Sequence, residues 1–286
     1  MTKPPAEATF QLYRYQILPL SRQDFLPLPG VPNLEELLEQ KNRLFAEALT
    51  SIERFEHDKG EIIHRLEVAD DDFMVLRIGS RKRLQLHRRD FSEEPGEDWP
   101  FVYVVINNDP QIQTAAIQSD FKVFRRTRTV AQILEDNLNR VLHRENLGVY
   151  FEPQFEKGDF WSTVERYPNR IVQATFDLVS PNMSNISNTL KIDLGALNKS
   201  TNTKRTVIDL NSDRDANLTL KPDDPILSGM VDYASKGGGA IKLKVEGLKR
   251  SISTKNQVKE VSINAVSIET SDPKLLRTAI ESVVDE

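Results

Sequence analysis

The sequence contains no cysteine and only four histidines among its 286 residues. The absence of cysteine excludes a disulfide framework, a thiolate zinc site, an iron–sulfur cluster and a cysteine nucleophile. The histidines stand at no spacing typical of metal ligands, and no Rossmann, Walker or serine-hydrolase motif is present. We therefore expect no catalytic residue, no metal and no cofactor, and we favour a binding function over an enzymatic one.

Long apolar runs are missing as well, since no window approaches the roughly 18 consecutive apolar residues of a membrane-spanning helix. The first 20 residues mix charged and apolar side chains and lack the three-part pattern of a secretory signal. We therefore expect a cytoplasmic protein without a membrane span. Hydrophobic residues make up 38% and charged residues 28% of the chain, a composition far from that of a disordered protein.

Apolar periodicity in the first half predicts a strand, a long helix and then a meandering sheet. A period-two pattern over residues 10–18 predicts the strand, and a stripe from Leu34 to Phe55 predicts the helix, with Asn33 as its N-cap. Short apolar runs separated by turn residues then predict antiparallel strands at 62–68, 73–78, 84–88, 101–106 and 112–124.

The second half repeats this mixture of helices and strands. Thr129 to Gln132 has the spacing of a capping box and predicts the start of a helix, at which we place a boundary between domains 1–128 and 129–286. Further strands are predicted at 149–155, 171–179, 207–210, 218–220, 241–245 and 258–268, and helices at 183–198, 225–234 and 273–284. The expected class is α+β, with largely antiparallel sheets, packed helices and two subdomains.

Charge is segregated along the chain. The net charge is −5, with 38 basic and 43 acidic side chains, which alone argues against a general polyanion binder. Three segments nevertheless carry basic residues almost without acidic ones: 81–89, 122–128 and 236–259. The candidate nucleic-acid-binding residues in them are Arg81, Lys82, Arg83, Arg88, Arg89, Lys122, Arg125, Arg126, Arg128, Lys236, Lys242, Lys244, Lys249 and Arg250.

The third basic segment has a predictable geometry. Lys242 and Lys244 lie on one side of a pleated strand, opposite Ile241, Leu243 and Val245. A basic outer face suits a phosphate backbone, so we expect salt-sensitive binding of nucleic acid, DNA rather than RNA, without sequence preference. Replacing both lysines by glutamate should weaken that binding for all sequences. The alternative is an ordinary solvated sheet face.

Three other features allow different interpretations. The run Gly237 to Gly239 predicts a helix stop, or a close approach by a ligand or partner. Acids such as Glu152, Asp209 and Asp213 would be needed for the main enzymatic alternative, a divalent-metal nuclease. Aromatic side chains near Phe160 and Trp161, if exposed, would instead indicate a protein-interaction module.

The layout of residues 101–182 resembles the RexA-like proteins of bacteriophage exclusion and bacterial phage-defence proteins of similar length. The resemblance lies in Phe101-Val-Tyr-Val-Val-Ile106, Phe121-Lys-Val-Phe124, the helix from Thr129, Val149-Tyr-Phe-Glu-Pro-Gln-Phe155, Ile171-Val-Gln-Ala-Thr-Phe-Asp177 and the turn Pro181-Asn182. It implies a cytoplasmic, two-part homodimer that binds double-stranded DNA without sequence preference and senses infection for a separate effector protein. It transfers no site residue to this chain.

Overall fold

A computed structural model describes residues 7–20, 33–58, 60–70, 72–180, 200–201, 203–264 and 278. These residues form four α-helices and thirteen β-strands in antiparallel sheets, which confirms the α+β class. The predicted helix at 183–198, the predicted helix at 273–284 apart from residue 278, and the end of the predicted strand 258–268 lie outside the described residues. Within the described part of the chain, no helix is both long and apolar enough to cross a membrane.

The described helices and strands are interspersed along the chain. The helices are α1 (Leu34–Ser51), α2 (Thr127–Leu142), α3 (Lys157–Arg166) and α4 (Pro225–Tyr233). The strands are β1 (Glu7–Pro19), β2 (Ile62–Ala69), β3 (Phe73–Ser80), β4 (Lys82–His87), β5 (Glu93–Asp98), β6 (Phe101–Asn107), β7 (Thr114–Gln118), β8 (Leu147–Pro153), β9 (Ile171–Val179), β10 (Arg205–Asn211), β11 (Gly239–Val245), β12 (Ile252–Ser253) and β13 (Glu260–Asn264).

The first sheet has the strand order β13-β1-β7-β6-β3-β2 and is built around the long strand β1. One edge of β1 pairs with β7, and its other edge pairs first with β13 and then with β8. Phe10 thus faces Val261 of β13, whereas Tyr15 faces Phe151 of β8. The sheet therefore joins the start of the chain to segments more than a hundred residues away. The strand predicted at 112–124 is correct only for β7, because residues 121–123 form a turn.

One face of this sheet packs against α1 and α2 to form the first core. The ring of Tyr15 stacks on Phe45 of α1 at 4.6 Å and on Phe151 at 5.4 Å between centroids. The predicted cap of α1 is confirmed: the Glu36 N–H donates to Asn33 Oδ1 at 2.9 Å, and the Asn33 N–H donates to Glu36 Oε2 at 3.1 Å. This reciprocal pair satisfies two of the donors that a helix start leaves open.

The predicted start of the second helix is wrong by two residues. α2 begins at Thr127, and its N-cap residue, Arg126, provides no side-chain cap. The buried Thr127 hydroxyl hydrogen-bonds with the Tyr13 hydroxyl at 2.9 Å and donates to Gln11 Oε1, so contacts with β1 fix the helix start. Because α2 and β8 pack in the first core, the predicted boundary at residue 128 falls within the elements of that core.

The second sheet has the order β10-β9-β11-β12 and packs with α3 and α4 around a separate core. The predicted alternation in β11 is confirmed, since Lys242 and Lys244 are exposed and the apolar residues between and beside them are buried. The aromatic side chains considered for a protein-interaction module are not exposed together on α3. Phe160 is buried in the second core and Trp161 packs partly against it. The strand predicted at 218–220 is irregular backbone.

Three glycines join the two sheets. After α4 the chain makes a wide helical turn, Ala234–Gly238, that lies against β1 and β8. A Cβ on Gly237 would lie 2.3 Å from the Cβ of Arg14, and one on Gly239 would lie 2.2 Å from the carbonyl oxygen of Asp177. Both glycines have positive φ, at +78° and +149°. The close approach that the glycine run predicted is therefore made by β1 and β9 of the same chain.

Candidate nucleic-acid interface

A cleft of about 470 Å³ opens between the start of α2 and the segment that follows β12. We call it the arginine cleft. Among the described residues that line it, five are basic and none is acidic. The lining residues are Gln11, Tyr13, Ser119, Arg125, Arg126, Thr127, Arg128, Arg250, Lys255, Asn256 and Val258. The cleft therefore combines parts of two basic segments that lie more than a hundred residues apart in the sequence.

The first side of the cleft is positioned by the turn that leads into α2. The Asp120 carboxylate accepts the Lys122 N–H at 2.8 Å, while Val123 and Phe124 are buried in or beside the first core. The chain then leaves the core, so Arg125 and Arg126 are exposed. Because no side chain caps α2 within the described part of the chain, its N-terminal N–H groups add partial positive charge beside them.

The opposite side of the cleft is positioned by the second sheet. Thr254 is buried and its hydroxyl oxygen accepts the backbone N–H of Ile241 at 3.0 Å, which fastens the segment to β11. The Ser253 hydroxyl accepts the Lys255 N–H at 3.3 Å and shapes the turn. Arg250 and Lys255 are thus brought opposite the start of α2.

Four of the five cations in the cleft have no carboxylate partner among the described residues. Across the described residues, no ion pair involves Arg125, Arg126, Arg128 or Arg250. The fifth, Lys255, has its Nζ 3.2 Å from Oε2 of the buried Glu152. Like charges gathered in one concavity repel each other, so an anion bound among them gains from every guanidinium.

Neutral side chains that are hydrogen-bonded to one another line the cleft beside the cations. Burial raises the pKa of Tyr13, although its hydrogen bond with Thr127 and the nearby Arg128 act in the opposite direction. Its hydroxyl therefore stays protonated at neutral pH. Because the Thr127 hydroxyl donates to Gln11 Oε1, the Tyr13 hydroxyl donates to Thr127, and this chain of hydrogen bonds fixes the start of α2 beside the cleft. The guanidinium groups bind phosphate oxygens in pairs, so the cleft is suited to a phosphate or a chain of phosphates.

The first basic segment lies outside this cleft. It forms β4 and pairs with the acidic strand β5 in a two-stranded hairpin, in which Arg83 faces Glu97. Arg81 contacts Glu61 and Glu97, and the Arg88 Nε donates to Glu94 at 2.6 Å. Lys82, Arg83 and Arg89 are on the hairpin surface. Residues 81–98 contain five basic and five acidic side chains, so the hairpin has no excess of positive charge.

The other predicted cations are scattered. Lys236 is paired with Asp232 at 2.8 Å, on a carboxylate that Lys157 also contacts at 2.6 Å. Lys242 and Lys244 lie on the outer face of the second sheet, where Lys244 borders a depression that Asp213 also lines. Lys122 and Lys249 are exposed and adjoin cleft-lining segments in sequence. Of the fourteen candidate residues, the cleft unites Arg125, Arg126, Arg128 and Arg250.

The acids considered for a nuclease do not come together around a metal. Glu152 is buried, and its carboxylate contacts Arg205 and Lys255. Asp209 lies on β10 and Asp213 in the turn that follows it. Within the described residues, no group of three histidine or carboxylate side chains is close enough to hold a metal ion.

Sequence patterns did not identify Lys255, Gln11 or Tyr13 as parts of the site. Lys255 lies in the third basic segment, but nothing local to it distinguishes it from the neighbouring lysines. Gln11 and Tyr13 belong to an ordinary strand pattern. Their place in the cleft depends on β1 lying beside the start of α2, which only tertiary structure provides.

Comparison with known proteins adds no relative: no protein-family model, curated protein or solved structure matches the chain. Function is therefore inferred from the cleft itself.

Proposed function

We propose that this protein binds DNA, without catalysis and without base-sequence preference, through the arginine cleft. The observation that carries the proposal is a single concavity lined by four arginines that have no carboxylate partner among the described residues. The chain as a whole is acidic, with a net charge of −5, yet the positive charges of these four arginines lie together in one cleft. A polyanion is the partner that this arrangement favours.

The absence of sequence preference follows from the type of contact. Arginines at a helix start and in loops reach phosphate oxygens, which position a nucleic acid but carry no sequence information. Four phosphate contacts would give a slope of log affinity against log salt of about −2.8 for a single strand and about −3.6 for a duplex. Affinity should then fall about 50- to 150-fold between 50 and 200 mM salt.

A charge-reversal experiment tests the proposal. The cleft variant Arg126→Glu with Arg250→Glu changes both sides of the cleft. The matched control, Arg83→Glu with Arg89→Glu, makes the same charge change on the exposed surface of the β4–β5 hairpin. Fluorescence anisotropy with mixed-sequence DNA, single- and double-stranded, at about 50 mM salt should show a loss of roughly 50-fold or more for the cleft variant only. Equal losses in both variants would reject the cleft as the site.

Three related measurements test the remaining expectations about DNA binding. A Lys242→Glu with Lys244→Glu variant measures whether the outer face of the second sheet extends the site. An RNA strand of the same sequence measures the preference for DNA, and a gel of the DNA after incubation with magnesium tests for the alternative, cleavage.

The resemblance to RexA-like proteins supports a wider proposal. In that setting, DNA binding would be the sensing step of an anti-phage system, with a homodimeric sensor and a separate effector protein. Sedimentation of the protein with and without DNA tests for the homodimer. A monomer in both conditions would contradict that part of the proposal.

A further inference from the structure

An exposed aromatic residue, Phe121, lies in the turn between two residues that line the arginine cleft, Ser119 and Arg125. Phe121 is 77% exposed, although Val123 and Phe124, just beyond it, are buried. A single exposed apolar residue is common on protein surfaces, so exposure alone carries no meaning. The position of Phe121 is informative, because it lies two residues after Ser119 and four before Arg125, and both of these residues line the cleft. Since consecutive Cα atoms are 3.8 Å apart, the Cα of Phe121 is within about 8 Å of that of Ser119.

The turn that carries Phe121 is held in place. The Ser119 N–H donates to the Thr9 carbonyl of β1 at 2.8 Å. The Asp120 carbonyl accepts the N–H groups of Val123 and Phe124 at 3.1 and 3.0 Å. The backbone under the ring is therefore already ordered before a ligand arrives, which lowers the entropic cost of using the ring as a binding surface.

The size of the cleft favours one strand over two. A volume of about 470 Å³ suits a nucleotide-sized group. A duplex has a major groove that is itself about 12 Å wide, so it can offer only one backbone to such a cleft. In a duplex the bases are also stacked on each other, and Phe121 would find no free base face beside that backbone. Phosphate-binding cations next to an exposed aromatic ring are the combination that single-stranded nucleic acids require.

We propose that the arginine cleft takes a single strand or an unpaired end of DNA, with Phe121 stacked on a base next to a phosphate held by Arg125 and Arg126. The inference rests on the DNA binding proposed above and names the form of DNA that the cleft selects. The Phe121 ring adds affinity through stacking, which requires no particular base because every base has an aromatic face.

The test compares three DNA forms of one mixed sequence: a single strand of about 12 nucleotides, its blunt duplex, and the duplex with an unpaired overhang. Phe121→Ala removes the ring, Phe121→Trp keeps an aromatic surface, and Phe91→Ala is the matched control. Phe91 is 93% exposed at the tip of the β4–β5 hairpin and is not among the residues that line the cleft.

We expect the wild type to bind the single strand and the overhang more tightly than the blunt duplex. Phe121→Ala should lose about tenfold or more in single-strand affinity with an unchanged salt slope, because no charge is removed. Phe121→Trp should retain the affinity, and Phe91→Ala should match the wild type. Equal binding of single strand and blunt duplex, with no effect of Phe121→Ala, would overturn this inference and leave the proposed function intact. No binding of any DNA form at low salt would overturn both.

Discussion

Glu152 connects the arginine cleft to the interior, and removing its charge should have opposite effects on binding and stability. Its side chain is only 4% exposed and lies between Lys255 of the cleft, at 3.2 Å, and Arg205 of β10. Arg205 also contacts Asp177 at 2.8 Å. Glu152→Gln keeps the shape of the side chain but removes the negative charge that holds Lys255.

The binding effect can be worked from the number of phosphate contacts. A released Lys255 would contribute one further contact, which steepens the salt slope by about 0.7 to 0.9 and raises affinity about fivefold or more at about 50 mM salt. The stability effect has the opposite sign. Removing one member of a buried ion pair costs about 3–5 kcal/mol. Arg205 retains Asp177 and has a 37% exposed side chain, so we expect a smaller loss of about 1–3 kcal/mol.

The assay combines a salt series of anisotropy titrations with urea unfolding of the same variant. Glu156→Gln is the control, because it removes an equal charge from a 58% exposed side chain paired with Lys259 at 3.4 Å. The control should keep the wild-type salt slope and lose less than about 0.5 kcal/mol. A folded Glu152→Gln protein with an unchanged salt slope would refute the assignment of Lys255 to the binding surface.

Two further predictions concern stability, measured by urea unfolding. Gly239→Ala should cost at least about 2 kcal/mol, because the added Cβ would lie 2.2 Å from a carbonyl oxygen at a φ of +149°. Gly158→Ala on α3 is the control, because the added Cβ would meet no atom within 4 Å. It should be neutral or stabilising by up to about 1 kcal/mol. A comparable loss of stability in both variants would contradict this prediction. Burial acts to raise the pKa of Asp232, but hydrogen bonds from Lys157 and Lys236 lower it overall. Its stabilisation is therefore present above the ordinary pKa of aspartate and lost as the pH falls through the lowered value, so the stability difference between wild type and Asp232→Asn should shrink in acid; a constant difference would contradict it.

Features set by neighbouring residues could be predicted from the sequence. The cap of α1 needs only Asn33 and Glu36, three residues apart, and the exposed lysines of β11 follow from the period of a strand. The predicted start of α2 was wrong because contacts with β1 fix where the helix begins. The Thr127 hydroxyl bonds with side chains of β1 and does not cap the helix backbone. The burial of Phe160 could not be predicted for a similar reason, since it depends on the second core.

The candidate site could be predicted only in part because it depends on distant contacts. The sequence identifies the cations of 122–128 and 236–259, but their meeting requires β13 to return to β1 and the turn at 234–238 to pack beside it. The basic segment 81–89 has the same local pattern. It differs because the following residues bring five acidic side chains into the same hairpin, and the register that pairs them is not a local property.

The most direct test of the arginine cleft is a modification experiment on the wild-type protein. Phenylglyoxal reacts with accessible guanidinium groups, and mass spectrometry measures the rate at each arginine with and without saturating DNA. We expect DNA to protect Arg125, Arg126, Arg128 and Arg250, and to leave the hairpin residues Arg83 and Arg89 unchanged. Protection of the hairpin arginines with none in the cleft would contradict the proposed site.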